Sequence, residues 1–350
     1  MKFWYAVMVS FLAAATFVTV ATAQTALPQP QPSPKAVVSQ TVGITDITIS
    51  YHRPGVKGRE IWGKLVPYNT VWRAGANENT TIAFGDPVSV EGHPLPAGTY
   101  GLHMIPAEHE WTIIFSRNAT SWGSFFYDEK EDVLRVRVKP RPADAQESLS
   151  YDFSDLSDSS ATVTLRWERL AVPFTVSLET PAIVVAHARE EYLRGLAGFT
   201  WQGFNQAAAY CQQHNVNTQE ALAWVDKSIS MNENFNNLHV KAGLMELAGK
   251  TSEAKTADDK AFSLATENDL NNYGYQLLGA SKVRDAILIF RRNVQAHPES
   301  WNVYDSLGEA YDKNGNAKLA IECYTRASKL VKDDANRKRI SEILKRLGTS

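Results

Sequence analysis

The sequence predicts two structural classes in one chain, an all-β sandwich followed by an all-α solenoid of helical repeats. The first observation is a series of short apolar and polar alternations over residues 38–180, separated by Gly, Pro, Asn and Asp. The second is a change to helical periodicity from residue 182 onward. The third is a motif beginning near residue 300 that also occurs 34 residues earlier in the chain. These observations divide the chain into a β half, residues 38–180, and a helical half, residues 182–350.

The first 23 residues have the order of a secretory signal peptide. Lys2 precedes an apolar run from Phe3 to Val20, and the small residues Ala21-Thr22-Ala23 follow. This pattern predicts cleavage after Ala23 and a periplasmic or secreted protein, with an uncleaved membrane anchor as the alternative. Residues 24–37 alternate prolines with polar residues, which predicts an extended linker.

Composition narrows the classes of partner. The chain has 36 Lys and Arg against 38 Asp and Glu, a net charge of −2. Electrostatics therefore gives no case for nucleic acid or for a membrane surface after cleavage of the signal. The two cysteines, Cys211 and Cys323, lie in distant helical segments and are predicted to be small buried residues rather than a disulfide.

The β half has its clearest strand at Ala161–Glu168, where Val163, Leu165 and Trp167 alternate with polar residues. Similar alternation predicts strands at Thr99–Ile105, Trp111–Ser116 and Leu134–Val138. Turn signals recur between these segments at the spacing of an all-β sandwich.

Several longer motifs follow one another in the β half. They are YHRPGVKGREIWGKLVPYNTVWRAGANENTTIAF, GHPLPAGTYGLHMIP, EWTIIFS, SWGSFFYDEKEDVLRVRV and ATVTLRWERLAVPFTV. These motifs resemble the bacterial family known as domain of unknown function 2911 (DUF2911). The resemblance implies an exported β domain over Val38 to Thr180 and implies no reaction.

Two polar loops of the β half are candidate ligand sites. Arg53, Lys57 and Arg59 lie in a loop shaped by Pro and Gly, where guanidinium and backbone N–H groups could cradle an anion. The run lacks the residue order of a phosphate-binding loop. The alternative is that carboxylates pair with these cations and pin the loop to the sandwich.

The second loop is WRAGANENTT, residues 72–81. Trp72 could stack on an apolar face, while Arg73, Asn77 and Glu78 could bond hydroxyls or a charged group, as in a shallow sugar or peptide pocket. The alternative is a closed turn, in which an ion pair between Arg73 and Glu78 and side-chain bonds to the backbone hold two strands together.

His103 is the last ligand candidate and lies in the strand-like segment Gly101–Ile105. The chain has no spacing typical of a metal site, so neither a metal nor a cofactor is expected. An enzyme alternative is a hydrolase with Glu78, His103 and Arg73 in its site, or with Ser121 or Ser124 as nucleophile and His103 as base. No local signature supports it, and no catalytic residue is assigned.

The helical half resembles a tetratricopeptide-repeat (TPR) solenoid. Residues 301–334 carry the repeat spacing at Tyr304, Leu307, Gly308, Tyr311, Gly315, Ala320, Tyr324 and Ala327. A shift of 34 residues gives matching positions at Tyr273, Gly274, Leu277, Ala286, Phe290 and Pro298. Weaker units begin at Trp201 and Leu238, and Asp334–Leu347 predicts a capping helix.

The resemblance implies a concave groove lined by the first helix of each repeat. It places seven candidate partner-binding residues there: Asn268, Asn271, Tyr275, Asn302, Asp305, Glu309 and Asp312. The basic residues of the family's carboxylate clamp are absent and acids replace them, which favours a basic or amide-rich peptide segment. The alternative is a face that is only solvated or that packs on the sandwich.

These observations together predict an exported, non-catalytic binding or scaffold protein. Its repeat groove would hold a protein or peptide partner, and its sandwich would carry a small-ligand pocket for a sugar or peptide. An envelope hydrolase and a purely structural envelope protein are the alternatives.

Overall fold

The computed structural model of the chain describes residues 29–348. The predicted signal peptide and the first part of the predicted linker lie outside the described residues. The described part begins with strands, which are β1 Lys35–Val42, β2 Thr45–His52, β3 Thr81–Phe84, β4 Val88–Val90, β5 His93–Leu95, β6 Gly98–Ile105, β7 Trp111–Ser116, β8 Asp132–Val138, β9 Arg141–Ser154 and β10 Ser160–Ser177. We call this region, residues 35–177, the β domain.

The strands form two antiparallel sheets that enclose one core. The larger sheet has the order β1-β2-β3-β6-β7-β8, and the smaller has the order β5-β4-β10-β9. Ile47, Ile82 and Phe115 of the larger sheet are buried in the same cluster as Val163 and Phe174 of the smaller one. The predicted all-β sandwich is therefore confirmed.

The N-terminal strand begins inside the predicted linker. Lys35 pairs with His52, and the ladder continues to Val42 opposite Thr45. Ala36 and Val38 pack against the core, so the alternation that defines a strand starts before residue 38. The linker within the described part is therefore shorter than the proline pattern predicts.

Four tryptophans form an aromatic cluster at one end of the sandwich. Trp62 packs edge-on against Trp111 at 4.9 Å and against Trp167 at 5.7 Å between ring centroids. Trp72 stacks on Trp167 at 5.9 Å. Trp111 and Trp167 are buried, and Trp62 and Trp72 come from the long loop between β2 and β3. This tryptophan cluster fastens the long loop to the core.

The remainder of the described chain is helical. Its α-helices are α1 Thr180–His187, α2 Trp201–His214, α3 Thr218–Met231, α4 Phe235–Leu247, α5 Thr251–Leu264, α6 Glu267–Gly279, α7 Val283–Ala296, α8 Trp301–Lys313, α9 Ala317–Leu330 and α10 Asp334–Gly348. Between α1 and α2 the chain makes a π-helical turn, Ala188–Tyr192, and a 3₁₀ turn, Leu196–Phe199.

Helices α2 to α9 form four helical pairs that follow the predicted repeat. A Cβ at Gly274 would overlap Phe290, and a Cβ at Gly308 would lie 3.2 Å from the ring of Tyr324. Glycine at these positions therefore lets the two helices of a pair approach closely. Ile340 and Leu347 of α10 are buried against the last pair, as expected of a capping helix. The predicted all-α repeat solenoid is confirmed.

Helix α1 contributes to the core of the β domain and to a core of the helical half. Ile183 packs in the core of the β domain, and Val185 packs with Ala207 and Cys211 of α2. His187 Nε2 lies 2.7 Å from Asp86 Oδ1 of the β domain, and His187 Nδ1 lies 3.4 Å from Glu191. This helix thus couples the two halves through one short segment. Cys211 and Cys323 are both free thiols, and burial raises the pKa of each to about 11.

The contact between His187 and Asp86 predicts a pH dependence of stability. The hydrogen bond to Asp86 raises the pKa of His187 above its usual 6.5. The stabilisation is therefore fully present below about pH 6.5 and is lost as the pH rises through the raised pKa. We expect the difference in melting temperature between wild type and His187→Gln to be larger at about pH 6 than at about pH 9. An equal difference at both pH values would contradict a protonated His187 in the folded state.

Candidate functional site

The two arginine side chains of the first polar loop donate to backbone carbonyls. Arg53 Nε donates to the carbonyl of Leu149 at 2.9 Å. Arg59 Nε donates to Val56 O, and the backbone N–H of Lys57 donates to Glu147 Oε1 at 2.9 Å. These bonds fix the loop to β9, and both guanidinium groups are bonded to backbone carbonyls.

The second polar loop, residues 72–81, is also held by hydrogen bonds, both within the loop and to other parts of the chain. Trp72 N donates to Met104 O at 2.8 Å, and its indole Nε1 donates to Gly75 O at 3.2 Å. Asn77 Nδ2 donates to Ser33 O at 3.3 Å, which ties the N-terminal segment to this loop. The ring of Trp72 belongs to the tryptophan cluster, so one of its faces is already covered.

Glu78 pairs with a residue that the sequence did not suggest. Its Oε2 lies 3.2 Å from His52 Nε2, and the expected ion pair with Arg73 is not formed. The two side chains line a pocket of about 740 Å³ between the N-terminal segment and the loop after β7. Asn79 lines the same pocket, and its Oδ1 is buried without a hydrogen-bond partner among residues 29–348. The lining combines polar side chains with apolar groups such as Tyr51 and Ala119.

His103 lies in a different polar cluster on β6. Its Nδ1 is 3.0 Å from Ser124 Oγ, and its ring packs against Tyr127 at 5.3 Å between centroids. Burial lowers the pKa of His103 to about 4; the charge of Asp132 opposes this shift and that of Arg73 adds to it. The imidazole is therefore neutral at pH 7.

Asp132 and Arg135 complete this cluster on β8. Tyr127 Oη donates to Asp132 Oδ2 at 2.6 Å, and Arg135 Nε donates to the same oxygen at 2.6 Å. Arg73 approaches the cluster from the long loop, with its guanidinium against Gly123. The structure thus brings Arg73 near His103 and Ser124, and it places Glu78 beside His52.

The acidic side chains of α8 are paired within the chain. Arg339 Nη2 lies 2.8 Å from Asp305 Oδ2, and Arg346 Nη2 lies 2.6 Å from Asp312 Oδ2. Glu309 accepts from Tyr275 Oη at 3.0 Å and pairs with Lys313 at 3.0 Å. These bonds neutralise the acids that favoured a basic peptide, so that preference loses its basis.

The other predicted groove residues have mixed surroundings. Asn302 Nδ2 is 3.5 Å from Glu267 Oε1. Asn271 Oδ1 is buried and has no hydrogen-bond partner within the described part of the chain. Asn268 is exposed at the start of α6, and burial is the main cause that raises the pKa of Tyr275 to about 12.

An open groove lies one to two repeats nearer the β domain, between α2, α4 and α6. Its volume is about 470 Å³. Carboxamides dominate its polar lining: Asn205, Gln212, Gln213, Asn236, Asn272 and Gln276. We call this site the amide groove. His239 and Tyr273 form one wall, with 4.5 Å between their ring centroids, and His239 Nδ1 is 2.7 Å from Asp258.

Sequence reasoning missed the amide groove because the first two repeats lack the aromatic residues of the pattern. A signal was nevertheless present. Asn205, His239 and Tyr273 follow one another at the 34-residue spacing of the repeat, and all three line the groove. The repeat register, extended back past the recognisable units, therefore finds the site.

Residues 33–176 match the family model described as "Protein of unknown function (DUF2911)". The β domain is a DUF2911 domain. The match covers the sandwich, the long loop with Arg73 and Glu78, and the cluster around His103. The DUF2911 domain therefore contains every ligand candidate predicted outside the helical repeats. No curated protein matches the chain.

Solved structures resemble the helical half. They include MamA residues 41 to the end from Desulfovibrio magneticus RS-1, with a TM-score of 0.26, 20% identity and coverage of 43% of this chain and 84% of that one. YrrB, described as a TPR protein with an unusual peptide-binding site, has a TM-score of 0.26, 13% identity and coverage of 46% and 84%. PilF of Pseudomonas aeruginosa has a TM-score of 0.26, 18% identity and coverage of 43% and 68%. The repeat architecture rests on the helices described above.

No three His, Cys, Asp or Glu side chains within residues 29–348 are arranged as metal ligands. None of the helices between residues 29 and 348 is both long and apolar enough to cross a bilayer.

Proposed function

We propose that the chain is an exported, non-catalytic binding protein whose amide groove holds an extended peptide segment of a partner protein. The observation that carries the proposal is the lining of that groove by carboxamides from α2, α4 and α6, the first helices of three successive pairs. Export is supported by the signal-like order of residues 1–23. N-terminal sequencing of the protein from an envelope fraction tests the export, and we expect it to start at Gln24.

The chemistry of the groove favours a peptide backbone as the ligand. A carboxamide offers both N–H donors and a carbonyl acceptor, which are the groups that an extended peptide presents along its length. Asn272, Gln276 and Gln213 are exposed and free to bond a ligand. Asn205 Oδ1 is buried and makes no hydrogen bond to residues 29–348, so a peptide N–H would satisfy it.

The charge of the groove favours a neutral or weakly charged segment. Lys282 is the ionised side chain at its rim, and His239 is engaged with Asp258. Binding would depend on backbone hydrogen bonds and on contacts with Tyr273 and Leu277 rather than on ion pairs. We therefore expect affinity for the partner to change little with salt concentration.

The test uses the mature chain and a library of short peptides tiled over envelope proteins. Selected peptides are titrated by fluorescence anisotropy against wild type and an Asn272→Ala, Gln276→Ala double variant. Each lost hydrogen bond is worth about 0.5–1.5 kcal/mol, so we expect the double variant to bind roughly tenfold more weakly.

Gln295→Ala is the matched control, because Gln295 is an exposed carboxamide on α7 and does not line the amide groove. We expect it to bind like wild type, with all variants showing the same far-ultraviolet circular dichroism. If no peptide binds, or if Gln295→Ala loses as much affinity as the double variant, the groove is not the binding site.

A further inference from the structure

The guanidinium of Arg73 is a cation without a counter-charge. Its Nε is buried and has no hydrogen-bond partner, and no carboxylate of residues 29–348 lies within ion-pair distance. Two other arginines that pack against the protein have a carboxylate partner: Arg135 bonds Asp132, and Arg339 bonds Asp305. The fold therefore leaves the donor groups of Arg73 unused by the described chain.

An unpaired, partly buried cation is costly. Burial lowers the pKa of Arg73, which shows that its surroundings disfavour the charge. A partner anion would recover that cost, because a guanidinium binds a carboxylate through two parallel hydrogen bonds. A ligand for Arg73 would therefore explain why the fold holds this charge in an unfavourable, partly buried position.

The loop beside Arg73 is shaped to admit its guanidinium. Gly123 has a positive φ of 61°, and a Cβ at this position would overlap Arg73 Nη1. The guanidinium therefore lies directly on the backbone of the loop after β7. The ring of Phe125 lies 5.9 Å from Arg73 Cζ, so an aromatic face adjoins the charge.

The same loop exposes three large aromatic side chains. Trp122 is 54% exposed, Phe125 is 77% exposed and Phe126 is 71% exposed. Aromatic groups that are this exposed and this close in sequence mark a surface that gains free energy when covered. An apolar group on the ligand would cover them while the anion reached Arg73.

The local charge fits a single negative charge. His103 is neutral at pH 7, since its pKa is about 4, so Arg73 is the positive group on this side of the cluster. The Asp132 carboxylate acts on the charge of His103 but is already paired with Arg135, so Arg73 leaves one positive charge for a ligand to balance. Ser124, 3.0 Å from His103 Nδ1, supplies a hydroxyl beside the cation.

We propose that Arg73 and the exposed aromatic side chains of residues 122–126 form a binding site for an apolar monocarboxylate. Arg73 bonds the carboxylate, and Phe125 and its neighbours cover the apolar part of the ligand. The carboxylate could be the C-terminal residue of a peptide or a free acid, since both have the same chemistry. The site lies in the β domain and is independent of the amide groove.

The test is a calorimetric titration of the mature chain with N-acetyl-L-phenylalanine, N-acetyl-L-phenylalaninamide and octanoate. We expect a carboxylate to bind and the amide to bind at least roughly tenfold more weakly, because the amide cannot accept the charge-assisted bonds of Arg73. Tighter binding of N-acetyl-L-phenylalanine supports a peptide C-terminus as the source. Tighter binding of octanoate supports a free acid.

Arg73→Gln and Phe125→Ala are each expected to weaken carboxylate binding, the first by roughly tenfold or more. Arg137→Gln is the charge-matched control, because Arg137 is 77% exposed and lies 3.6 Å from Glu110 on another part of the domain. The proposal is overturned if neither carboxylate binds, if the amide binds equally well, or if Arg137→Gln loses as much affinity as Arg73→Gln.

Thermal unfolding without ligand separates binding from a structural role. If Arg73 serves to bind a ligand, it does not stabilise the protein when no ligand is present. The melting temperatures of Arg73→Gln and Arg73→Lys should then not fall below that of wild type. A marked fall for both variants would assign Arg73 to the stability of the loop and would overturn the proposal.

Discussion

Replacing Trp167 with Ala is expected to lower the free energy of unfolding of the β domain by about 3–5 kcal/mol. Trp167 is 1% exposed, and it is the residue of the tryptophan cluster that both loop tryptophans contact. Its removal leaves a cavity at the place where the long loop between β2 and β3 joins the sandwich. Arg73 and Glu78 lie on this loop, so the candidate ligand sites depend on the same packing.

Calorimetry of the full chain measures this effect. We expect the unfolding transition of the β domain to move to lower temperature by roughly 10 °C in Trp167→Ala. The melting temperature of Trp167→Phe should fall much less, because the indole Nε1 of Trp167 has no hydrogen-bond partner among residues 29–348 that the variant would lose. Trp122→Ala is the matched control at an exposed tryptophan. If the melting temperature of Trp122→Ala falls as far as that of Trp167→Ala, the tryptophan cluster does not have the proposed role in stability.

Replacing Gly274 with Ala is expected to destabilise the helical half by about 1–2 kcal/mol. The new Cβ would overlap the ring of Phe290, which is completely buried and has no space to move. Overpacking of this kind costs about 1–3 kcal/mol, and the higher helix propensity of Ala offsets up to about 1 kcal/mol. Urea unfolding followed by circular dichroism measures the net change.

Alanine substitutions at two other glycines are controls with smaller expected effects on stability. Gly279 lies in the same helix, and a Cβ there would meet open space, so Gly279→Ala should stabilise the helical half by about 0.5–1 kcal/mol. Gly308→Ala should be closer to neutral than Gly274→Ala, because its Cβ would lie 3.2 Å from Tyr324. A stabilising Gly274→Ala would show that the helices of this pair are not in close contact.

The sequence predicts strands best where one face of the sheet is buried. The segment Trp111–Ser116 is β7 with the predicted bounds, because Trp111, Ile113 and Phe115 alternate along the strand and pack in the core. The start of β1 is missed because the polar and proline-rich composition before Lys35 hides the alternation of Ala36 and Val38. At this point the composition predicts a linker and the alternation predicts a strand. The strand forms because Ala36 and Val38 pack against the core.

The partner of a side chain can be predicted from the sequence only where the repeat fixes how many residues separate the two. Asp305 pairs with Arg339 and Asp312 with Arg346, and each pair spans 34 residues, so the repeat register could have predicted both. The pairing of Glu78 with His52 depends on how β2 and the long loop meet in space, and no local pattern carries that information. No local pattern predicts the contact between Arg73 and Gly123 either, because Arg73 lies in the long loop between β2 and β3 and Gly123 lies in the loop after β7.

The amide groove, rather than the β domain, is expected to hold the extended peptide segment of the partner. Hydrogen exchange of the full chain, with and without a peptide selected in the binding assay, tests it directly. We predict slower exchange in α2, α4 and α6, since the peptide would cover the groove that these helices form. Protection confined to the β domain, with unchanged exchange in these three helices, would contradict the claim.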